Sequence, residues 1–455
     1  MALGKRKREV QELWVATSDL PASPGHPFYQ QLNKLLAEAG FDGYVEELSR
    51  PYYAEEVGRP GIPPGVYFRM LFVGYFEGLS SQRAIAWRCS DSRSLQSFLG
   101  IPLTESTPEH SSLTVIRQRL PLSIHEEVFT KVLTIAQEKK LLKGKTVAVD
   151  STLIEAEAAM KTMVRRDNGE DWKEYLKKLA MEAGMENPTE EDLRKFDRNR
   201  PNKKVSNEEW VSSTDPDSRI AKMKDGRTHL AYKTEHAVDL QSDLVVAAPV
   251  YRADESDTAT LSQTLTMAQA HVMLAGSEVE VREAVADKGY HSTDNVAWCA
   301  SMGVRTYIPE RTSPHGRRWT DKSANEKAAG YGNRRRVRGK HGKALGGLRS
   351  EYTERSFAHA CETGGARRSR LRGLVNVAKR YLMYIAGRNL GVIMRALFGV
   401  GTPRSLQAPG AGMPCAVFGS LTIVRQSLQR LCNESLDSLA RGPAPVALAR
   451  LHWAA

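Results

Sequence analysis

Cysteine is scarce in this 455-residue chain: Cys89, Cys299, Cys361, Cys415 and Cys432 are scattered, odd in number and never spaced as CxxC. Such a set excludes a disulfide framework, argues against a structural zinc site and points to a reducing compartment. Long apolar runs are missing too. The longest, Tyr381 to Val400, is interrupted by Arg388 and Arg395 and is too broken to span a membrane. The opening MALGKRKREVQELW is basic and lacks the apolar stretch of a signal peptide. No internal repeat is apparent. What is present, a 41% hydrophobic share, is too much for a disordered chain, and the length suggests two or three domains.

The positive charge has an address. The chain carries a formal net charge of +12, yet Arg311 to Arg395 alone holds 21 Lys+Arg against 5 Asp+Glu. Outside that block the balance is slightly negative. A localised excess of this kind suits a phosphate-binding surface, although a solvated basic loop would read the same way.

The first 140 residues read as an all-α region. Pro63 and Pro64 open an apolar helix that Gly78 ends, and Ser80/Ser81 cap the next. Two more helices are expected near Ser92–Leu99 and Ser112–Leu120, the latter carrying Arg117 and Arg119. Short capped helices with arginines are compatible with a DNA-reading domain and equally with a plain helical bundle. From residue 141 the pattern becomes mixed α/β. KTVAVDST is a short strand ending on Asp150, and 161–227 is a nearly neutral, densely charged helical insertion. Strands follow at 229–240 and 244–254, a helix from Ser256 to about Leu274, and a strand ending on Asp287. A helix near 292–302 and the strand VRTYIPE complete the pattern. We expect a basic loop over 311–349, then a long helix from about Leu348 to Leu397, with Gly364–Gly365 as the place for a break. The order predicts a mixed sheet with flanking helices over 141–397 and a tail over 398–455. In that tail LTIVRQSLQRLCNESLDSL is amphipathic.

Asp150 and Asp287 each close an apolar strand, where α/β sheets present ligands. Either aspartate alone also fits a strand-end cap. Two on one sheet, without His or Cys, favour a hard divalent ion such as Mg²⁺ or Mn²⁺. A further carboxylate is expected after the basic stretch. Glu351, Glu354 and Glu362 are the candidates, and spacing does not separate Glu351 from Glu354. Asp254 and Asp257 fit helix capping or support of the site. Lys233 and His236 fit a DNA contact or a plain strand face. Lys288, Tyr290 and His291 follow Asp287 closely enough to touch a substrate, and Trp298 reads as core.

The ordered strings AVDST, MKDGRTHLAYKTEHAVD, ADESDT, VADKGYHS and ERSFAH, with GGARRSRLRG after them, resemble the DDE transposases of bacterial insertion sequences. GRPGIPPGVYFRMLFVGYFEGLSSQRAIAWRC resembles the domain that precedes their catalytic core, so the likeness covers about residues 45–397. It implies an RNase H-like core with two Mg²⁺ (or Mn²⁺) ions held by Asp150, Asp287 and Glu354, and no covalent protein–DNA intermediate. The family's Tyr–Arg–Glu–Lys signature is only partly present. Arg349 precedes Glu354, Gly346 and Gly347 stand where the Tyr is sought, and Arg367 and Arg368 are the nearest basic residues after the acid. The resemblance implies binding of double-stranded DNA at terminal inverted repeats, cleavage and strand transfer by a homodimer, and a cytoplasmic, nucleoid-associated bacterial setting without a membrane. Arg117, Arg119, Lys288, Arg334, Arg335, Arg336, Arg338, Lys340, Arg367 and Arg368 are the expected DNA contacts. A nuclease without strand transfer and a catalytically decayed DNA-binding protein are the rival readings.

Overall fold

The computed structural model describes residue 16 and residues 25–54, 61–200, 206–311 and 319–406. The amphipathic segment at 421–439 and part of the 311–349 stretch lie outside the described residues. Seven helices come first: α1 (Pro27–Glu38), α2 (Phe41–Ser49), α3 (Pro64–Phe76), α4 (Gln82–Ser90), α5 (Arg93–Leu99), α6 (His110–Arg119) and α7 (Leu122–Glu138). Proline opens α3, eleven of its thirteen residues are buried, and Gly78 follows in the left-handed conformation that terminates it. A helix apolar on every side belongs at the centre of a bundle. The side chains of Ser81 and Ser92 cap α4 and α5 by accepting from the amides of Ala84 and Leu95.

The sheet begins with β1 (Thr146–Glu155). Two short strands, β2 (Met163–Arg165) and β3 (Trp210–Ser212), pair with each other and bracket α8 (Trp172–Glu182) and α9 (Glu190–Asn199). This is the charged helical excursion; Trp172, Tyr175 and Trp210 pack edge-on within it. Then come β4 (Arg219–Lys222), β5 (Thr228–Asp239), β6 (Val245–Ala247), β7 (Val250–Arg252), α10 (Asp257–Leu274), β8 (Glu283–Ala286), α11 (Thr293–Ser301) and β9 (Arg305–Tyr307). The sheet runs β4-β5-β1-β8-β9, with β6 and β7 also paired to β5. β1 is antiparallel to β5 and parallel to β8, and β8 is parallel to β9. The chain closes with α12 (Ala324–Arg338), α13 (Lys340–Ala358) and α14 (Leu374–Phe398).

Two expectations change here. The stretch 311–349 is not one loop: α12 and the first half of α13 lie within it. Ser323 and Glu326 cap each other's backbone in a capping box that starts α12. The long closing helix breaks, as expected, around Gly364–Gly365 into two helices. A π-type turn over His359–Thr363 and a crossing beside β1, where Arg368 bridges to Glu155, separate α13 from α14. β1 also runs past Asp150 to Glu155, because β5 continues to pair with it there.

α10 packs against β5, β6 and α7, α13 lies across β1, β5 and β8, and α14 packs on α3, α7 and β7. Residues of the helical region and of the sheet, Phe72 and Val149 among them, therefore belong to one continuous apolar cluster. Among the described residues no helix is long and apolar enough to cross a membrane.

Candidate active site

β8 ends where β1 loses its neighbour. Val149 is in register with Ala286, so Asp150 and Asp287 are each the first residue beyond the last parallel pair. Two carboxylates are thereby set side by side. Asp287 caps the short turn Lys288–Tyr290 by accepting from the Gly289 amide at 2.6 Å. Asp150 accepts from the Ser151 amide at 2.9 Å, from Arg349 Nη1 at 2.9 Å and from Thr353 Oγ1 at 3.0 Å. Burial pushes the Asp150 carboxyl above its ordinary value. Arg349, the Ser151 amide and Thr353 oppose that rise, and the nearby Asp287 charge adds to it.

α13 supplies the facing wall. Arg349, Thr353 and Ser356 fall on one side of it, and the first two reach Asp150 while Ser356 bonds His236 at 2.8 Å. Glu354, next to Thr353, is exposed. Glu351 is ion-paired with Arg355 and Glu362 with Arg367. Of the three candidate acids, Glu354 alone has no ion pair to a described residue. The structure brings Asp150 and Asp287 together and leaves Glu354 on the neighbouring, outward face. Among the described residues no three Asp, Glu, His or Cys side chains are gathered closely enough to cage a metal ion.

Other residues singled out in the sequence sort clearly. Lys233 and His236 are buried, not facing solvent, because β5 is covered on both faces. His236 stacks on Phe357 at 4.0 Å between ring centres and bonds Tyr381, and burial holds its pKa well below the ordinary histidine value. Tyr290 and His291 are buried. Asp254 pairs with Arg219 at the start of β4. Trp298 packs against the core as expected.

The proposed phosphate contacts divide by exposure. Arg119, Lys288, Arg335, Arg338 and Lys340 are exposed. Arg334 is bidentate on Glu310, and Arg336 donates to the backbone and hydroxyl of Thr306, so both are spent on holding α12. Arg367 and Arg368 are exposed but paired with Glu362 and with Glu155 and Glu157. Arg117 is a correction: it is 8% exposed, its Nε and Nη1 are buried without a hydrogen bond, and it offers DNA no surface. It is covered where α6 packs on α3 and α4, and Lys379 of α14, some 260 residues away in sequence, donates to its carbonyl.

Sequence reasoning assigned Asp257 only a supporting role and left Ser151 and Thr353 out. Ser151 follows Asp150 directly, and Thr353 lies one turn after Arg349, the spacing that puts two side chains on one helix face.

Residues 143–390 match the family model of the transposase DDE domain, and residues 19–119 match that of a transposase domain, DUF772. No curated protein and no solved structure matches the chain. The mixed sheet behind an all-helical region is the RNase H-like arrangement of that domain. Proteins of this family act on DNA and generally use divalent metal ions. The first match alone spans more than half of the chain, and the chain belongs to the DDE transposases of insertion-sequence type.

Proposed function

We propose that this transposase binds the terminal inverted repeats of its own element and, with Mg²⁺ or Mn²⁺, cleaves DNA there and joins the freed ends to a target. The observation that carries this reading is the placement of Asp150 and Asp287 on adjacent parallel strand ends. At Asp150 the Arg349 charge outweighs the repulsion from Asp287, yet burial still holds the carboxyl above its ordinary value, a cost that a bound cation would relieve. Their donor set fits Mg²⁺, which is commonly held by one or two carboxylates, waters and substrate phosphates and not by an all-protein cage. When bound, such ions would activate the attacking hydroxyl and stabilise the leaving oxygen. The chain's own residues hold the acids: Thr353 and the Ser151 amide orient Asp150, and the Gly289 amide orients Asp287. Glu354 is the third acid, free of the ion pairs that occupy Glu351 and Glu362. Exposed Arg335, Arg338 and Lys340 lie in the stretch leading to that acid and track the DNA backbone, with Lys288 beside Asp287. Arg119 would serve the N-terminal helices in the same way. Since two element ends must be joined, the working species is at least a homodimer on DNA.

The test is incubation of the protein with its flanking DNA and Mg²⁺. We expect nicking at inverted repeats and strand-transfer products. Cleavage of any duplex regardless of sequence, without joined products, would establish the nuclease reading instead.

A further inference from the structure

Behind the strand-end acids lies a third carboxylate with unusually complete support. Asp257 opens α10 immediately after β7. Its Oδ1 accepts from Ser151 Oγ at 3.0 Å and from Lys233 Nζ at 3.3 Å. Ser151 is the residue whose amide holds Asp150, so one short chain of bonds connects Asp257 to Asp150. Its other oxygen faces Asp287 across Gly289. A Cβ placed on Gly289 would stand 2.8 Å from Asp257 Oδ2 and 2.7 Å from Asp287 Oδ1. A side chain there would have to displace one or both of these carboxylate oxygens.

Lys233 does more than neutralise Asp257. It is 4% exposed and also reaches Glu235 at 3.0 Å and Thr260 at 2.9 Å. Glu235 is fully buried, and both of its oxygens accept from hydroxyls of α10, from Thr260 and from Thr264. Tyr251 then bonds Thr264. A buried ammonium shared by two carboxylates gains little for folding over apolar residues of the same size, so its presence calls for another reason. The Tyr290 hydroxyl, buried close to the same groups, has no partner in good hydrogen-bond geometry among the described residues.

We propose that Asp257 is a positioning residue for the strand-end acids: anchored by Lys233, it fixes Asp150 through Ser151 and limits the room open to Asp287 across Gly289. This rests on the reading that Asp150 and Asp287 hold the divalent ions. Asp257 itself need not touch the ion. Its effect is to keep two mutually repelling carboxylates at a separation that a cation can bridge.

The experiment is a Mn²⁺ titration of the full chain without DNA, read from the free-ion resonance signal, with the melting temperature measured in parallel. Asp257→Asn should weaken Mn²⁺ binding about 10–100-fold, the usual cost of losing a group that orients a metal ligand. Asp257→Glu should recover part of the loss, and Gly289→Ala should reproduce the defect by displacing these carboxylate oxygens. Asp150→Ala and Asp287→Ala should abolish binding. Wild-type affinity in Asp257→Asn, with binding lost in Asp150→Ala, would overturn the positioning role alone. Wild-type affinity in Asp150→Ala would overturn the metal-site reading and this inference with it. Should Asp257→Asn fail to fold, Ser151→Ala severs the same link from the other side, and unchanged Mn²⁺ affinity in that variant would overturn the proposal equally.

Discussion

Arg69 in the helical region and Asp150 at the sheet end are both partly or wholly buried charges, yet their surroundings differ. Arg69 is 4% exposed and saturated: Nε and Nη2 grip Asp42 at 2.8 and 2.7 Å, and Nη1 donates to Asn33 and to the Phe98 carbonyl. Every donor nitrogen has an acceptor. At the sheet end, Asp150 lies between Arg349 and the Asp287 charge, while Asp257 and Glu235 share Lys233. In the helical region Arg69 uses its charge to tie α2, α3 and α5 together. The sheet end keeps more acids than bases, and under the proposed function that surplus is where a cation would be received.

The saturated side of this contrast can be broken first. Asp42→Ala should cost about 1–3 kcal/mol in urea unfolding, because it leaves two nitrogens of a buried guanidinium without their acceptor while Asp42 itself is 44% exposed; a cost near zero would mean that Arg69 finds water or another acceptor. Next comes pH. Burial holds His125 down to about 4, so the unfolded chain takes up its proton first as the solution is acidified. The stability that this group contributes is complete above about pH 6.5 and is lost as pH falls toward 4, amounting to about 3 kcal/mol. Unfolding curves at pH 7 and pH 4.5 should show that loss, and His125→Gln should flatten it.

Smaller effects separate exposed from buried arginines. Replacing Arg335, Arg338 and Lys340 together with Gln should weaken DNA binding for all sequences alike. The plot of log affinity against log salt should also flatten, by about 1 for each phosphate no longer neutralised. Arg117→Met should leave DNA affinity unchanged within error and stabilise the fold by about 1 kcal/mol, since it removes a buried charge with unpaired nitrogens. Weakened end binding in that variant would mean that Arg117 does reach DNA.

Much of this organisation was legible in the residues. Proline at the start of α3, the serine caps of α4 and α5, and the two strands that deliver Asp150 and Asp287 all follow local rules, and local rules read well from one chain. Failures came where distant elements decide. Alternation suggested a solvent face for Lys233 and His236, but α10 and α13 cover both sides of β5, and nearly the whole strand is buried. Arg117 reads as a surface arginine, but α6 packs on α3 and α4 and Lys379 of α14 reaches its carbonyl, which buries it. In α12 and α13 the many glycines read as loop, although Gly342 is required where α13 turns close against the Arg336 carbonyl and the Ser323–Glu326 capping box marks a helix start. Glu351 and Glu362 form ion pairs with arginines of their own segments, and Glu354 forms none with a described residue, a difference no sequence spacing displays.

The central claim, that Asp150, Asp287 and Glu354 perform the DNA chemistry, is tested most directly by cleavage of the flanking inverted repeats in Mg²⁺. Wild type should be compared with Asp150→Ala, Asp287→Ala, Glu354→Ala and Glu351→Ala side by side. We predict that the first three variants lose cleavage by about 10³-fold or more, the order expected when an electrostatic group at a reacting centre is removed, while Glu351→Ala cuts within a few-fold of wild type. Cleavage by Glu354→Ala at the wild-type rate, or by either aspartate variant, would contradict the account.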